Sequence, residues 1–336
     1  MLNVNEKVEE FAGATADHIP EDLMLSKKPL VLRGLVSQWP FVRENHQGAR
    51  AGANYLQKFD VNRSVTACVG SPETSGRIFY NSAMDGFNFS SIRMSLSDAL
   101  KRIISNQSLH KPQMLYVSST NVDHWLPGFR KENNLHLMKK KPLVSIWLGN
   151  QSRIAAHFDF ASNIACSVAG KRKFILFPPE QIKNLYIGPL DFTPAGQPVS
   201  MVDFANPDYI TFPKFKNALE TAQYVQLEPG DAIFIPSMWW HHVEALDTMN
   251  ILINYWWRNS PEYLGSPLGA LQHAILALRE LPEDQRQVWR DLFDHYVFEA
   301  ADGKFDHIPQ QARGILNPID FKSAERIKLN LSRNLA

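Results

Sequence analysis

The stretch HFDFASNIACSVAGKRKFILFPP at residues 157–179 decides the fold, because it holds two short apolar runs, NIACSVA and KFILF, separated by Gly170 and basic residues. Short apolar runs bounded by glycine, proline or polar turns are typical of β-strands. Comparable runs lie at residues 113–119, 142–150, 224–236 and 250–257. Several such strands with irregular insertions predict an antiparallel barrel or sandwich, and not a sheet of βαβ units.

Outside this β-rich region, the sequence predicts further elements on both sides. Residues 28–40 predict a strand that leads into a turn, and residues 95–105 predict an amphipathic helix with Ser95 as its N-cap. Beyond Tyr263, apolar residues recur at helical spacing before and after a break at Pro282. This predicts a C-terminal helical pair, which either caps the barrel or pairs across a two-fold axis in a homodimer.

Composition limits the classes of partner. The chain has 336 residues, and its 35 Lys and Arg against 34 Asp and Glu give a net charge of +1. That balance is not typical of a protein that binds DNA or a polybasic membrane anchor. The N-terminal residues lack the basic start and apolar run of a signal peptide, and no membrane-spanning stretch is visible.

The two cysteines indicate the redox environment. Cys68 and Cys166 lie far apart, each in an apolar, strand-like context, and no CxxC spacing occurs. Two buried thiols are therefore expected instead of a disulfide, which suits a reducing interior. Together with the N-terminus, this favours a cytoplasmic protein.

His157 and Asp159 stand two positions apart in AAHFDFASN (155–163), at what we expect to be the start of a strand. Side chains alternate along a strand, so both point to one face and both can reach one metal ion. The best third ligand lies in EPGDAIFIPSMWWHHVEAL (228–246), where His241 and His242 follow two tryptophans. Two histidines and one carboxylate leave coordination positions open, as in non-haem Fe(II) sites. The alternative is that the pair arose by chance and its members are hydrogen-bonded structural groups.

These segments together resemble a known family. The runs at 157–186, 202–213, 228–246 and 251–257 are similar to those of the JmjC-type, cupin-like Fe(II)- and 2-oxoglutarate-dependent oxygenases. Within that family the resemblance is to the asparaginyl hydroxylase that acts on hypoxia-inducible factor. It implies a mainly β fold, a double-stranded β-helix (jelly roll) with N-terminal α/β elements over residues 1–260. The helical region at 261–336 would then be a possible dimerisation element.

The resemblance also implies roles for individual residues. The metal ligands fall on His157, Asp159 and His241, whereas His242 points away as a packing or surface residue. Four residues match positions that surround 2-oxoglutarate in the family, and each has the alternative of being a structural strand residue: Tyr116, Asn163, Arg172 and Asn254.

Two positions depart from the family pattern. Arg172 stands where the family commonly has a lysine that binds the distal carboxylate of 2-oxoglutarate, and Ile154 replaces a threonine hydroxyl. An arginine can hold a carboxylate with two hydrogen bonds, although it moves the anchor point. A dry pocket is also expected, with Ile146, Leu148, Ile164 and Trp256 as candidates for its apolar lining, each with the alternative of being an ordinary core residue.

The resemblance implies an enzyme that uses Fe(II), 2-oxoglutarate and dioxygen to hydroxylate a protein or peptide side chain. Alternatives are the same chemistry on a small molecule or an RNA base. A different class of protein, a cupin barrel that binds a metal without turnover, also fits the ligand pattern.

Overall fold

Two β-sheets form the predicted barrel. The computed structural model describes residue 2, residues 4–137 and residues 140–334. Its strands are β1 (Glu6–Lys7), β2 (Glu9–Glu10), β3 (Leu30–Leu32), β4 (Ser64–Gly70), β5 (Arg77–Ile78), β6 (Phe89–Ser95), β7 (Met114–Asn121), β8 (Leu143–Gly149), β9 (Ser152–His157), β10 (Ser162–Ala169), β11 (Arg172–Phe177), β12 (Gln223–Leu227), β13 (Ala232–Ile235), β14 (Trp240–Ala245) and β15 (Asn250–Trp257). Its α-helices are α1 (Glu21–Leu25), α2 (Pro40–His46), α3 (Ala49–Gln57), α4 (Leu96–Asn106), α5 (Val122–Trp125), α6 (Phe215–Leu219), α7 (Pro267–Leu278), α8 (Glu283–Phe293) and α9 (Phe321–Asn334).

The order of the strands is that of a jelly roll. The minor sheet runs β1-β12-β11-β14-β9-β5, and the major sheet runs β2-β3-β13-β10-β15-β8-β7-β4-β6. From β8 to β15 the chain passes from one sheet to the other at each step except β11 to β12, so each sheet receives four of these strands. The predicted double-stranded β-helix is confirmed.

Alternation along β10 separates two hydrophobic cores. Ile164 and Cys166 point to the outer side of the major sheet, where they join the cluster formed with the N-terminal helices. Ala165 belongs to a second cluster inside the barrel. Because both faces of β10 are covered, every residue of the strand is buried, and its sequence shows a continuous apolar run instead of a polar alternation.

The predicted helix at residues 95–105 is observed as α4. Ser95 is its N-cap, and the Ser95 side chain accepts a hydrogen bond from the backbone N–H of Asp98. Leu96, Leu100 and Ile103 form its buried face. The apolar spacing that predicted the helix is therefore the spacing that attaches it to the outer side of the major sheet.

Several strands were not predicted, among them β4, β6 and β9. β6 has the sequence FSSIRMS and β9 has the sequence SRIAAH, so both lack a dense run of β-branched residues. They form strands because neighbouring strands supply backbone partners, which is a tertiary effect that local sequence does not record.

The chain divides into two compact units, Met1–Asn259 and Ser260–Ala336. The terminal residues of the predicted domains, 1 and 336, lie outside the described residues. In the second unit the predicted helical pair corresponds to α7 and α8, and the prediction missed α9. The apolar helical face predicted after Pro282 lies on α8 and continues into a π-helical turn at Asp294–Phe298.

Many apolar side chains of the second unit are exposed, among them Leu276, Val288 and Phe298. A role of this unit in dimerisation stays a prediction. Among the described residues, no helix combines the length and the apolar character needed to span a membrane.

The turn between β10 and β11 depends on Gly170. Its φ is +72°, and a Cβ there would lie 2.4 Å from Asn250 Oδ1 and 2.5 Å from the carbonyl oxygen of Met249. We expect Gly170→Ala to lower the free energy of unfolding by roughly 2–5 kcal/mol, because a left-handed backbone and a steric clash both oppose the methyl group. Chemical unfolding measures the change.

Gly13 provides the matched control for this substitution. Its φ is +88°, but among the described residues nothing lies within 4 Å of its Cβ position. Gly13→Ala should therefore cost only the backbone contribution, about 1–2 kcal/mol. Equal losses in the two variants would show that the contact with Asn250 and Met249 does not matter.

Candidate active site

The pairing of β9 with β14 brings the three candidate metal ligands together. His157 is the last residue of β9 and lies directly opposite His241 of β14. Their ring centroids are 4.3 Å apart, and Asp159 Oδ2 lies 3.8 Å from His241 Nε2. One ligand atom from each of the three residues lies within 4.8 Å of the others. The structure thus brings together residues that are widely separated along the sequence.

Backbone carbonyls fix the orientation of both imidazoles. His157 Nδ1 lies 2.9 Å from the carbonyl oxygen of Ala155, and His241 Nδ1 lies 3.0 Å from that of Trp239. A carbonyl oxygen only accepts, so Nδ1 carries the hydrogen in each ring and Nε2 keeps its lone pair. Burial, together with the nearby His157, lowers the pKa of His241 to about 4. The His241 ring is therefore neutral at physiological pH, which is the form that binds metal.

Asp159 is positioned by the turn before β14. The backbone N–H of Met238 donates to the carbonyl oxygen of Asp159 (2.8 Å), and Ser237 Oγ donates to the carbonyl oxygen of Phe160 (3.0 Å). The indole N–H of Trp256 donates to Asp159 Oδ2 (3.1 Å). The expectation that His157 begins a strand is wrong, because His157 ends β9 and Asp159 lies beyond it. Loop hydrogen bonds therefore position the backbone at Asp159, and the indole of Trp256 orients its carboxylate, so strand alternation does not place this ligand.

The donor set fits a ferrous ion. It consists of two imidazoles and one carboxylate on one side of a space that opens into a cavity. Such a set leaves coordination positions for other ligands and is typical of non-haem Fe(II) sites, whereas structural zinc sites are closed by four protein ligands.

A cavity of about 510 Å³ extends from these ligands between the two sheets. All four residues proposed to surround 2-oxoglutarate line it: Tyr116, Asn163, Arg172 and Asn254. Ile154, the position that departs from the family's threonine, also lines the cavity. The structure therefore places the three candidate metal ligands and the four candidate cosubstrate residues at one cavity.

Arg172 is a buried cation at the cavity wall. Its relative exposure is 4%, and among the described residues it has no ion pair and its Nε has no hydrogen-bond partner. Burial lowers its pKa to about 10, so the guanidinium is still charged at neutral pH. A buried charge without a partner is costly unless an anion binds opposite it. The cavity at Arg172 therefore fits a carboxylate.

Tyr116 lies near this cation, and two features hold it. Its ring stacks on that of Trp147, with centroids 5.9 Å apart and planes at 30°. Strand β8 approaches closely at Gly149, where a Cβ would lie 3.2 Å from the Tyr116 Cα. Burial raises the pKa of Tyr116, so its hydroxyl stays protonated and is available to donate to an anion.

Asn254 and Asn163 form a buried pair. Asn254 Nδ2 donates to Asn163 Oδ1 (2.9 Å), and the register places the two residues on adjacent strands, β15 and β10. Among the described residues, Asn254 Oδ1 has no partner. This oxygen is therefore a free acceptor at the cavity wall. In a purely structural pair, all hydrogen-bonding groups of the two side chains would be expected to have partners.

The predicted apolar lining is only partly correct. Trp256 lines the cavity. Ile146, Leu148 and Ile164 do not, because they point to the outer side of the major sheet and join the cluster with the N-terminal helices. Strand alternation explains the division, since Trp147 and Asn163, their neighbours in sequence, face the cavity.

His242 is a packing residue and is not on the surface. Its relative exposure is 4%, and its ring stacks on Phe204 at 4.5 Å between centroids. His242 Nε2 lies 3.2 Å from Glu244 Oε1. It thus faces away from the cavity, as predicted.

Sequence reasoning missed several residues of the cavity wall. Trp147 was named as part of a strand only, yet among the described residues its indole N–H has no partner. Thr66, Cys68, Ser91 and Ser118 also line the cavity. Thr66, Cys68 and Ser91 lie on β4 and β6, which were not predicted. Strand alternation could have indicated that Trp147 faces the cavity. It lies two positions from both Ser145 and Gly149 and so shares one face of β8 with them.

Comparison with known proteins assigns the family. A family model described as a cupin-like domain matches residues 16–263. The chain belongs to this cupin-like family, which confirms the broad resemblance seen in the sequence. The closer resemblance to the asparaginyl hydroxylase stays a prediction.

Curated relatives share part of the chain. Lysine-specific demethylase JMJ31 of Arabidopsis thaliana is 28% identical over 176 residues, covering 50% of this chain and 31% of that protein. HSPB1-associated protein 1 of Mus musculus is 30% identical over 195 residues, covering 54% and 40%. The tRNA wybutosine-synthesizing protein 5 of Gallus gallus is 27% identical over 148 residues, covering 40% and 43%. The chain thus matches less than half the length of each of these three relatives.

The hydrogen bond from Trp256 to Asp159 should strengthen metal binding. We expect Trp256→Phe to weaken Fe(II) or Mn(II) binding by about 10- to 100-fold, because partners that orient a ligating carboxylate typically contribute that much. Anaerobic titration with either ion measures the affinity.

Trp257→Phe is the control for this variant. Trp257 is the next residue, it is buried in the outer core, and among the described residues its indole N–H has no partner. Its replacement removes no hydrogen bond and should leave metal affinity unchanged. A similar loss of affinity in both variants would indicate general damage to β15.

Proposed function

We propose that this protein is an Fe(II)- and 2-oxoglutarate-dependent oxygenase that hydroxylates a side chain of a protein or peptide. His157, Asp159 and His241 would hold the ferrous ion, and Arg172 with Tyr116 would hold the distal carboxylate of 2-oxoglutarate. The observation that carries the proposal is the buried guanidinium of Arg172, which has no ion-pair partner within the described part of the chain and shares a cavity with an open two-histidine, one-carboxylate set. A metal site alone would not need that cation.

When bound, the ferrous centre would couple oxidative decarboxylation of 2-oxoglutarate to succinate and carbon dioxide with transfer of one oxygen atom from dioxygen into a C–H bond. The chain's own residues supply position and dryness. Arg172 fixes one end of the acid with its planar fork, and the protonated Tyr116 hydroxyl adds a donor. Asn254 Oδ1 offers an acceptor nearby. Apolar groups such as Phe174 and Leu252 exclude water from the cavity.

The charges of the cavity favour an uncharged target. Among the described lining residues, Asp159 is the only carboxylate, and it already faces His241 and accepts from Trp256. At the mouth, Phe87 stacks on Phe89 (5.3 Å, 6°) and on Phe192 (4.8 Å, 16°), so these rings cover each other's faces. A methylated ammonium, as expected for a lysine demethylase, would find no second carboxylate among these lining residues, and the faces of the Phe87 ring are already covered. Hydroxylation of a neutral side chain fits better.

The alternatives differ in what they predict. A small molecule or an RNA base would undergo the same chemistry, and the wybutosine relative makes RNA a specific alternative. A net charge of +1 gives RNA no electrostatic support. A cupin that only binds metal would take up the ion without forming succinate. RNA binding that weakens steeply with salt would favour the RNA alternative.

Arg172→Met should weaken the binding of 2-oxoglutarate and leave the binding of metal nearly unchanged. We expect 2-oxoglutarate affinity to fall at least about 30-fold, since loss of one partner of a buried charge pair costs roughly 2–5 kcal/mol. Affinity for Mn(II) should stay within about twofold of the wild type. Anaerobic calorimetry of the Mn(II)-loaded protein measures both.

Lys173→Met is the control, because Lys173 lies next in sequence, points to the opposite face of β11 and pairs with Glu244 (3.7 Å). It removes the same charge from the chain. If Lys173→Met weakens 2-oxoglutarate binding as much as Arg172→Met, long-range electrostatics and not a direct contact would explain the loss.

The activity itself is tested with purified protein and a peptide library. Anaerobic addition of Fe(II) and then 2-oxoglutarate should produce a weak visible absorption band that His157→Ala abolishes. Under oxygen, mass spectrometry should find peptides that gain one oxygen atom only when 2-oxoglutarate is present. Wild-type protein that shows no band and consumes no 2-oxoglutarate would end the oxygenase proposal.

A further inference from the structure

Strand β6 forms one edge of the major sheet. It is the last strand in the sheet order, and its partner is β4. Ser90, Ser91 and Arg93 are exposed. The side chains of Phe89 and Ser91 line the cavity that holds the candidate metal ligands. The strand at the open edge of the sheet is therefore also part of the wall of the active-site cavity.

The hydrogen bonds of β7 show how the strands are oriented. Both backbone groups of Leu115 form hydrogen bonds with Asn150, which directly follows β8. The Leu115 carbonyl accepts from the Asn150 N–H (3.1 Å), and the Leu115 N–H donates to Asn150 Oδ1 (2.8 Å). Backbone groups of successive strand residues point to opposite sides. Tyr116 therefore points to β4, where its partner is Cys68.

The same alternation, continued across β4, fixes the direction of the groups on β6. Because Cys68 points to β7, its neighbour Ala67 points to β6 and pairs with Ile92. The N–H and C=O groups of Ser91 and Arg93 must then point away from the sheet. Trp125 confirms these directions independently. By the same alternation the Ser64 carbonyl points to the β7 side, and from that side it accepts a hydrogen bond from the Trp125 indole (3.2 Å).

This edge lacks the usual protection against strand addition. Natural edge strands carry prolines, bulges or several charges. β6 has the sequence FSSIRMS, with one charge, and its pairing with β4 is continuous from Phe89 to Ser95. The guanidinium of Arg93 turns back across the sheet, where its Nε donates to Ser64 Oγ (3.1 Å). The outward backbone groups are left accessible.

We propose that the open edge of β6 binds an extended segment of the substrate polypeptide as an additional β-strand, which places a side chain of that segment in the cavity. The identity of the occupant as a substrate rests on the proposed function. An extended polypeptide is the partner that presents donors and acceptors at the spacing of a strand edge, and this mode recurs in peptide recognition. A small molecule or a folded RNA does not match that row of groups. Backbone pairing would hold the segment, and the cavity would select one side chain.

Hydrogen exchange tests the proposal directly. The probe is a twelve-residue peptide selected from a random library on wild-type protein loaded with Mn(II) and N-oxalylglycine, an unreactive analogue of 2-oxoglutarate. In free protein the outward amides of Ser91 and Arg93 should exchange quickly, and the inward amides of Ser90 and Ile92 slowly. Saturation with the peptide should slow the Ser91 and Arg93 amides at least tenfold. Unchanged exchange at these two amides would overturn the proposal, as would a library without any binding peptide.

Arg93→Pro removes one outward N–H without breaking the pairing with β4, since proline is tolerated at strand edges. Its matched control is Arg93→Ala, which removes the side chain and keeps the N–H. The selected peptide should bind Arg93→Pro at least tenfold more weakly than Arg93→Ala. Equal affinities would contradict pairing through the backbone.

N-methylation of the peptide tests the same contact on unaltered protein. Alternate amides of an extended peptide form two sets that point to opposite sides. Methyl groups on the set that faces β6 should weaken binding at least tenfold, and methyl groups on the other set should change it less than threefold. Equal effects of the two sets would exclude a strand-like complex. These experiments need no turnover. A peptide that protects the edge but supports no 2-oxoglutarate consumption would contradict the oxygenase proposal and leave the edge site intact.

Discussion

The register between β9 and β14 is the constraint on which the site depends. It sets His157 opposite His241, and the turn that leads into β14 donates a backbone hydrogen bond to the carbonyl of Asp159. A shift of β14 by one residue in this pairing would turn His241 to the other face of the minor sheet, away from His157. His242 shows what that other face is like, since it is buried against Phe204. Metal binding and correct folding of the minor sheet are therefore inseparable.

The major sheet organises the opposite wall of the same cavity. Alternation along β8, β10 and β15 directs Trp147, Asn163 and Asn254 inward, and directs the intervening apolar residues to the outer core. The outer core fixes the sheet, so the polar residues of the cavity can remain incompletely satisfied without loss of the fold. Stability and function are thus assigned to the two faces of the same strands.

Much of this arrangement was predictable from the sequence. The strand-rich middle of the chain, the helix capped by Ser95 and the three candidate ligands were all identified from local patterns and from resemblance. The indole of Trp256 was predicted only as apolar lining, because its donor role depends on where the loop carrying Asp159 lies. β6 was missed because four of its seven residues are serine or arginine, so that the partner strand β4 and not a local apolar run holds it in the sheet. Local patterns record burial and turns, whereas contacts between loops and edges arise only in the folded chain.

Arg172 has a consequence for folding as well as for recognition. A buried guanidinium that meets no counter-charge in residues 4–137 and 140–334 lowers the stability of the native state, and an anion that binds opposite it restores what was lost. By mass action, each tenfold rise in such an acid above its dissociation constant adds about 1.4 kcal/mol to the free energy of unfolding. The melting temperature of this protein would then report the supply of a central metabolite, and the fraction of chains that survive heating would follow the concentration of that metabolite.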